Sequence, residues 1–74
     1  MKNSEINKAF LNSRTSEMKL IILSNIANHY GVSNNEAKKE IFDNDAENIM
    51  DYITGKSRVL ISLEYQFFLY NLNK

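Results

Sequence analysis

The amino-acid sequence predicts an all-α fold: one small domain spanning residues 1–74, built as a bundle of about five short helices. Three observations predict it. Large apolar residues return every three or four positions, the period of one helix face, and short clusters rich in Ser, Asn and Gly punctuate them. The chain has no proline and only two glycines, so nothing forces a hard stop inside a helix. A 74-residue chain of 8.6 kDa folds to about 4,700 Å² of accessible surface by size scaling, burying roughly 62% of its unfolded surface. That is one core, and there is no room for a second.

The first helix is expected from just after Ser4 to about Asn12, with Ile6, Ala9 and Phe10 on one side. Asn12–Ser16 is a polar joint in which Thr15 or Ser16 caps the second helix, and Glu17 suits its positive first turn. The second helix runs to Tyr30 on a Met18, Ile22, Ile26, Tyr30 stripe, widened by Leu20, Ile21, Leu23 and Ala27. Gly31 supplies the left-handed residue that ends it. Ser33 and Glu36 then form the pattern of a capping box, flanked by Val32 and Ala37 in hydrophobic-staple positions. That third helix ends near Phe42, with Ile41 and Phe42 as anchors. Asp43 or Asn44 is expected to cap a fourth helix reaching Thr54, with Ala46, Ile49, Met50 and Ile53 inward, closed by Gly55. Ser57 is expected to cap a fifth helix of about sixteen residues.

Composition excludes several classes of function. Apolar residues make up 43% and charged residues 24%, an ordinary globular balance, and nine basic residues match nine acidic ones. With no cysteine there is neither a disulfide scaffold nor a thiolate metal site. The longest apolar runs are four residues, Leu20–Leu23 and Phe67–Tyr70, so no membrane span is expected. The first twenty residues lack a signal-peptide core, and a cytoplasmic location is expected. Eleven Asn, eight Ile and seven Lys, all with AT-rich codons, suggest a low-GC bacterium or one of its phages.

No catalytic, cofactor-binding or metal-binding residues emerge, and no enzyme is expected. His29 is the only histidine, so neither a Ser–His–acid triad nor a two-His metal site can be assembled. Thr54-Gly55-Lys56-Ser57 ends like a phosphate-binding loop, but Met50 stands where its first glycine belongs and no strand precedes it. A single anion at Lys56, Arg58 and the helix start is the weaker version of that idea. Asp43, Asp45 and Glu47 begin like a calcium loop, yet Asn48 replaces the required glycine and Thr54 the bidentate glutamate.

Ile26-Ala27 followed by Tyr30-Gly31-Val32-Ser33 resembles the core of a bacterial helix-turn-helix over about residues 23–42. The resemblance implies a DNA-binding regulator whose helix after Ser33 enters the major groove, with Asn34, Asn35, Lys38 and Lys39 facing bases and phosphates. Charge argues the other way. Residues 34–55 carry a net charge of −4 and surround Lys38 and Lys39 with six acids, whereas phosphate contacts need clustered cations.

The fifth helix carries the leading functional expectation. At 100° per residue, Val59, Leu60, Leu63, Phe67 and Tyr70 occupy one arc, and Ile61, Tyr65, Phe68 and Leu72 a second, nearly opposite. A surface helix of so small a domain needs only one apolar face. Two faces mean either a central helix wrapped by the other four or a face that meets another molecule, and the second arc, with its four-three-four spacing, is assigned to contact with a protein partner or a second copy. Ile61, Tyr65, Phe68 and Leu72 are therefore the expected interface residues of a non-enzymatic interaction or dimerisation module. A helix-turn-helix DNA-binding regulator is the alternative.

Overall fold

A computed structural model describes all 74 residues. The chain forms four α-helices and no strand: α1 (Asn3–Asn12), α2 (Ser16–Tyr30), α3 (Asn34–Asp43) and α4 (Ser57–Leu72). The body measures 36 × 26 × 20 Å and exposes 4837 Å² of surface, close to the value expected from its mass. Helix α3 packs against both α2 and α1, while α1 and α2 touch more lightly. A loop then leads to α4, whose Tyr65 and Phe68 rings meet Phe10 of α1. Its entry is tied near Asn25 of α2 by the Thr54 amide (3.0 Å), and its middle is tied to Arg14, just before α2, through Glu64 (2.7 Å).

Local chemistry sets these boundaries. The Thr15 hydroxyl accepts the Met18 amide at 3.2 Å and starts α2. Gly31, at φ +68°, ends it in the left-handed conformation, and the Val32 amide reaches back to the Ala27 carbonyl at 3.0 Å to close the last turn. Two residues later Ser33 caps α3 by accepting the Glu36 amide at 3.2 Å. Nothing lies within 4 Å of a Cβ built on Gly31, so backbone conformation alone demands glycine there. Gly31→Ala is expected to cost about 1 kcal/mol, measured as a lower urea midpoint at unchanged slope.

The expected fourth helix over residues 43–54 does not form. Only a single 3₁₀ turn, Ile49–Asp51, appears there. Asparagines win the competition for its backbone. Asn44 accepts the Ala46 amide (2.9 Å) and Asn48 accepts the Met50 amide (2.8 Å), closing local turns in place of helical bonds. Asn7 takes the rest: its Oδ1 accepts the Ile49 amide at 2.9 Å, and its Nδ2 donates to the carbonyls of Glu47 (3.0 Å) and Ile41 (3.3 Å). Ile49 and Ile53 are nevertheless buried as expected, joined by Tyr52, whereas Ala46 is exposed. At the other end of the loop, Ser4 donates to Asp45, with the Lys2 amine 3.8 Å from the same carboxylate. The Ser4 hydroxyl, against a smaller desolvation cost and with help from Lys2, holds the Asp45 carboxyl below its ordinary value.

The core runs through every element: Phe10 and Leu11 from α1, Ile22, Ile26 and Ala27 from α2, Ala37 and Ile41 from α3, then Ile49, Tyr52, Ile53, Ile61 and Tyr65. Phe10 is its aromatic hub. The rings of Tyr65 and Phe68 meet it edge-on at 5.0 and 5.4 Å, and the Arg14 guanidinium lies 4.7 Å from its centroid.

Candidate functional site

Helix α4 is apolar on both sides, and the structure decides which side is free. Ile61 and Tyr65 are 1% and 7% exposed, inside the chain's own core, and Phe68 is half-buried against Phe10. The Tyr65 hydroxyl accepts the Asn48 side-chain amide at 2.7 Å. Of the four residues expected to form an interface, only Leu72, in the last turn, is exposed. That assignment is therefore corrected. The Ile61–Tyr65–Phe68 side is the seam by which α4 joins its own domain, because Phe10 and the loop carrying Asn48 occupy it.

The opposite arc faces outward over its whole length. Val59 (71% exposed), Leu60, Leu63, Phe67 (70%) and Tyr70 (64%) form a stripe along three turns of α4. Leu63, Gln66, Phe67 and Tyr70 line one shallow depression in it, and Val59, Ser62 and Leu63 border another beside Gly55 and Arg58. The acid nearest the stripe, Glu64, is paired with Arg14, and the Lys74 amine lies 5.0 Å from the Tyr70 ring. Leu20 and Ile21 of α2 are also exposed. Helical spacing alone shows two apolar arcs. It does not show which one the aromatic hub of α1 claims.

The residues of the helix-turn-helix resemblance sit in an α2–turn–α3 corner. Asn35, Lys38 and Lys39 are exposed and Asn34 is half-buried at the first position of α3. The Lys38 amine and that of Lys8 from α1 both lie 5.6 Å from the Phe42 ring. Glu36, Glu40 and Asp43 share the exposed surface of α3 with the two lysines, which leaves this helix net negative.

At the start of α4, Arg58 does not face an anion site. Its guanidinium donates to the carbonyls of Met50 (2.5 Å) and Ile53 (2.9 Å), fastening the 3₁₀ turn to the helix. Ser57 is the first helical residue and Lys56 takes the cap position without a side-chain bond.

A polar recess lined by Asn25, Asn28, His29, Tyr52 and Thr54 lies between α2 and the loop. The hydroxyls of Tyr52 and Tyr30 are 2.6 Å apart, and the His29 ring meets both rings edge-on at about 5 Å. Burial first, and the Tyr30 hydroxyl second, push the Tyr52 phenol well above the ordinary tyrosine value of 10.0. The folded state therefore holds this proton more tightly than the unfolded chain. The stabilisation is complete below about pH 10 and is lost as pH rises through and beyond that value. Urea unfolding between about pH 9 and 11 is expected to show a steeper loss of stability in the wild type than in Tyr52→Phe.

No helix is long and apolar enough to cross a membrane. No family model, curated protein or solved structure matches the chain. Function is therefore read from this surface itself.

Proposed function

We propose that this protein is a non-enzymatic interaction module that works by laying the outer face of α4 against a helix of another protein molecule. The observation that carries the reading is the exposure of five large apolar side chains, Val59, Leu60, Leu63, Phe67 and Tyr70, on one continuous helical stripe. Scattered surface leucines are ordinary, whereas a contiguous patch of this kind marks a contact site. Their spacing is that of helix-to-helix packing, with Leu60, Leu63, Phe67 and Tyr70 separated by three, four and three residues. A cytoplasmic protein of a bacterium or phage suits the composition.

Phe67→Glu tests it. The side chain is 70% exposed, so the variant is expected to keep its helicity and its melting temperature within a few degrees. Affinity capture from host cells is expected to recover a protein with the wild type and to lose it with Phe67→Glu. Equal recovery by both would remove α4 from the reading.

The DNA-binding alternative, through Asn34, Asn35, Lys38 and Lys39, has the exposed α2–turn–α3 corner in its favour and the three carboxylates of α3 against it. It predicts a mobility shift of duplex DNA at about 50 mM salt that weakens as salt is raised. Recovery of nucleic acid in the capture experiment would favour it.

A further inference from the structure

We propose that the molecule covering the outer face of α4 is a second copy of this chain, packed with its α4 antiparallel across a two-fold axis. The proposal rests on the interaction reading above and names its partner. The order of side chains along the stripe supports it. Two leucines, Leu60 and Leu63, occupy the first half, and two aromatics, Phe67 and Tyr70, the second. Antiparallel pairing sets Leu60 of one copy opposite Tyr70 of the other, and Leu63 opposite Phe67. The four layers made by Leu60, Leu63, Phe67 and Tyr70 then each hold one branched aliphatic and one ring, which keeps the middle of the seam at a constant width, while Val59 falls opposite Asn71 at each end. Parallel pairing stacks ring on ring at one end and leucine on leucine at the other, which forces the helices to splay. The numbering is symmetric about position 65, as a two-fold contact requires, since the same patch must serve both partners.

Electrostatics and area agree. The stripe's own side chains from Val59 to Tyr70 include no carboxylate or amine, and the like charges that meet are confined to its two ends, where Lys74 lies 5.0 Å from the Tyr70 ring. Glu64, beside it, is paired within its own chain to Arg14. Lys56 and Lys74 flank the stripe at its ends, where Lys56 of one copy nears Lys74 of the other at a solvated, screened rim. The helix dipoles attract when antiparallel. The five side chains expose on the order of 600 Å² per copy, so even complete pairing removes no more than about 1,200 Å² in total, the bottom of the range for a specific interface. A weak, concentration-dependent dimer is what such an area allows, with Leu20 and Ile21 exposed outside the stripe.

Sedimentation equilibrium of the full chain over a wide concentration range is the first test. A reversible dimer is expected, weakened at least about thirtyfold by Leu63→Glu, with helicity retained and with melting unchanged at concentrations where both proteins are monomeric. Orientation is read by engineered thiols, since the natural chain has no cysteine to interfere. Leu63→Cys and Phe67→Cys proteins, mixed and oxidised, are expected to cross-link to one another in preference to themselves. Self-cross-linking of each variant alone, with no mixed product, would overturn the antiparallel pairing. A dimer indifferent to Leu63→Glu, or a wild type that stays monomeric up to about 1 mM, would overturn the proposal outright. In the monomeric case, capture of a host protein that Phe67→Glu abolishes would leave the wider interaction reading in place, and its absence would remove both.

Discussion

Asn7→Leu is expected to unfold most of the protein, although it replaces a polar side chain at a fully buried site with an apolar one of similar size. Asn7 is 0% exposed and bonds three backbone groups of a segment some forty residues away. Leucine leaves the Ile49 amide and the Ile41 and Glu47 carbonyls without that partner, at about 1–3 kcal/mol for each group that stays dry. A loss of about 3–5 kcal/mol is a large share of the stability available to a domain of this size. The melting temperature should fall by at least about 15 °C, followed by circular dichroism. Asn7→Asp separates hydrogen bonding from shape. An ionised carboxylate there can accept from Ile49 but faces two carbonyls that it cannot satisfy. Protonation restores a donor, so the folded state favours the neutral acid and its pKa is raised. The variant should therefore regain stability relative to the wild type as pH falls. Equal melting of Asn7→Leu and wild type would mean that the loop holds itself.

Much of the fold is legible in the sequence because its signals are local. Thr15, Gly31 and Ser33 act within one turn of themselves, and they fix both ends of α2 and the start of α3. The residues 43–54 are a different case. Their apolar spacing resembles a helix, and Ile49 and Ile53 do go inward. Whether the backbone between them coils is decided by Asn7, a residue on another helix. The clue lay in α1 itself: Asn7 stands three and four residues before Phe10 and Leu11, on the inward face, where a polar group is retained only if something consumes its hydrogen bonds. The two arcs of α4 follow from periodicity in the same way. Which arc docks inward depends on Phe10, Asn48 and Arg14, all distant in sequence, so periodicity points to Ile61, Tyr65, Phe68 and Leu72 as the free face while these contacts turn the first three inward.

That dependence makes Phe10→Ala the second severe variant. Helix α4 does not pack its backbone closely on the other three helices; long side chains bridge the gap. Phe10 is central among them, touching Tyr65 and Phe68 edge-on while Arg14, stacked on its ring, holds Glu64 of α4. Removing the ring deletes the shared wall of all these contacts and leaves a cavity that a helix held by side chains can fill only by shifting. About 3–5 kcal/mol should be lost in urea unfolding, and amides of α4 should lose their hydrogen-exchange protection before those of α2 and α3. The contrast lies on the same helix. Phe67→Ala removes an equally large ring from the outer face, where nothing in the chain covers it, and should change the stability of the monomer by less than about 0.5 kcal/mol. If the two phenylalanines proved equally costly in a monomer, α4 would be held from both sides, and its outer face would have no contact left to offer.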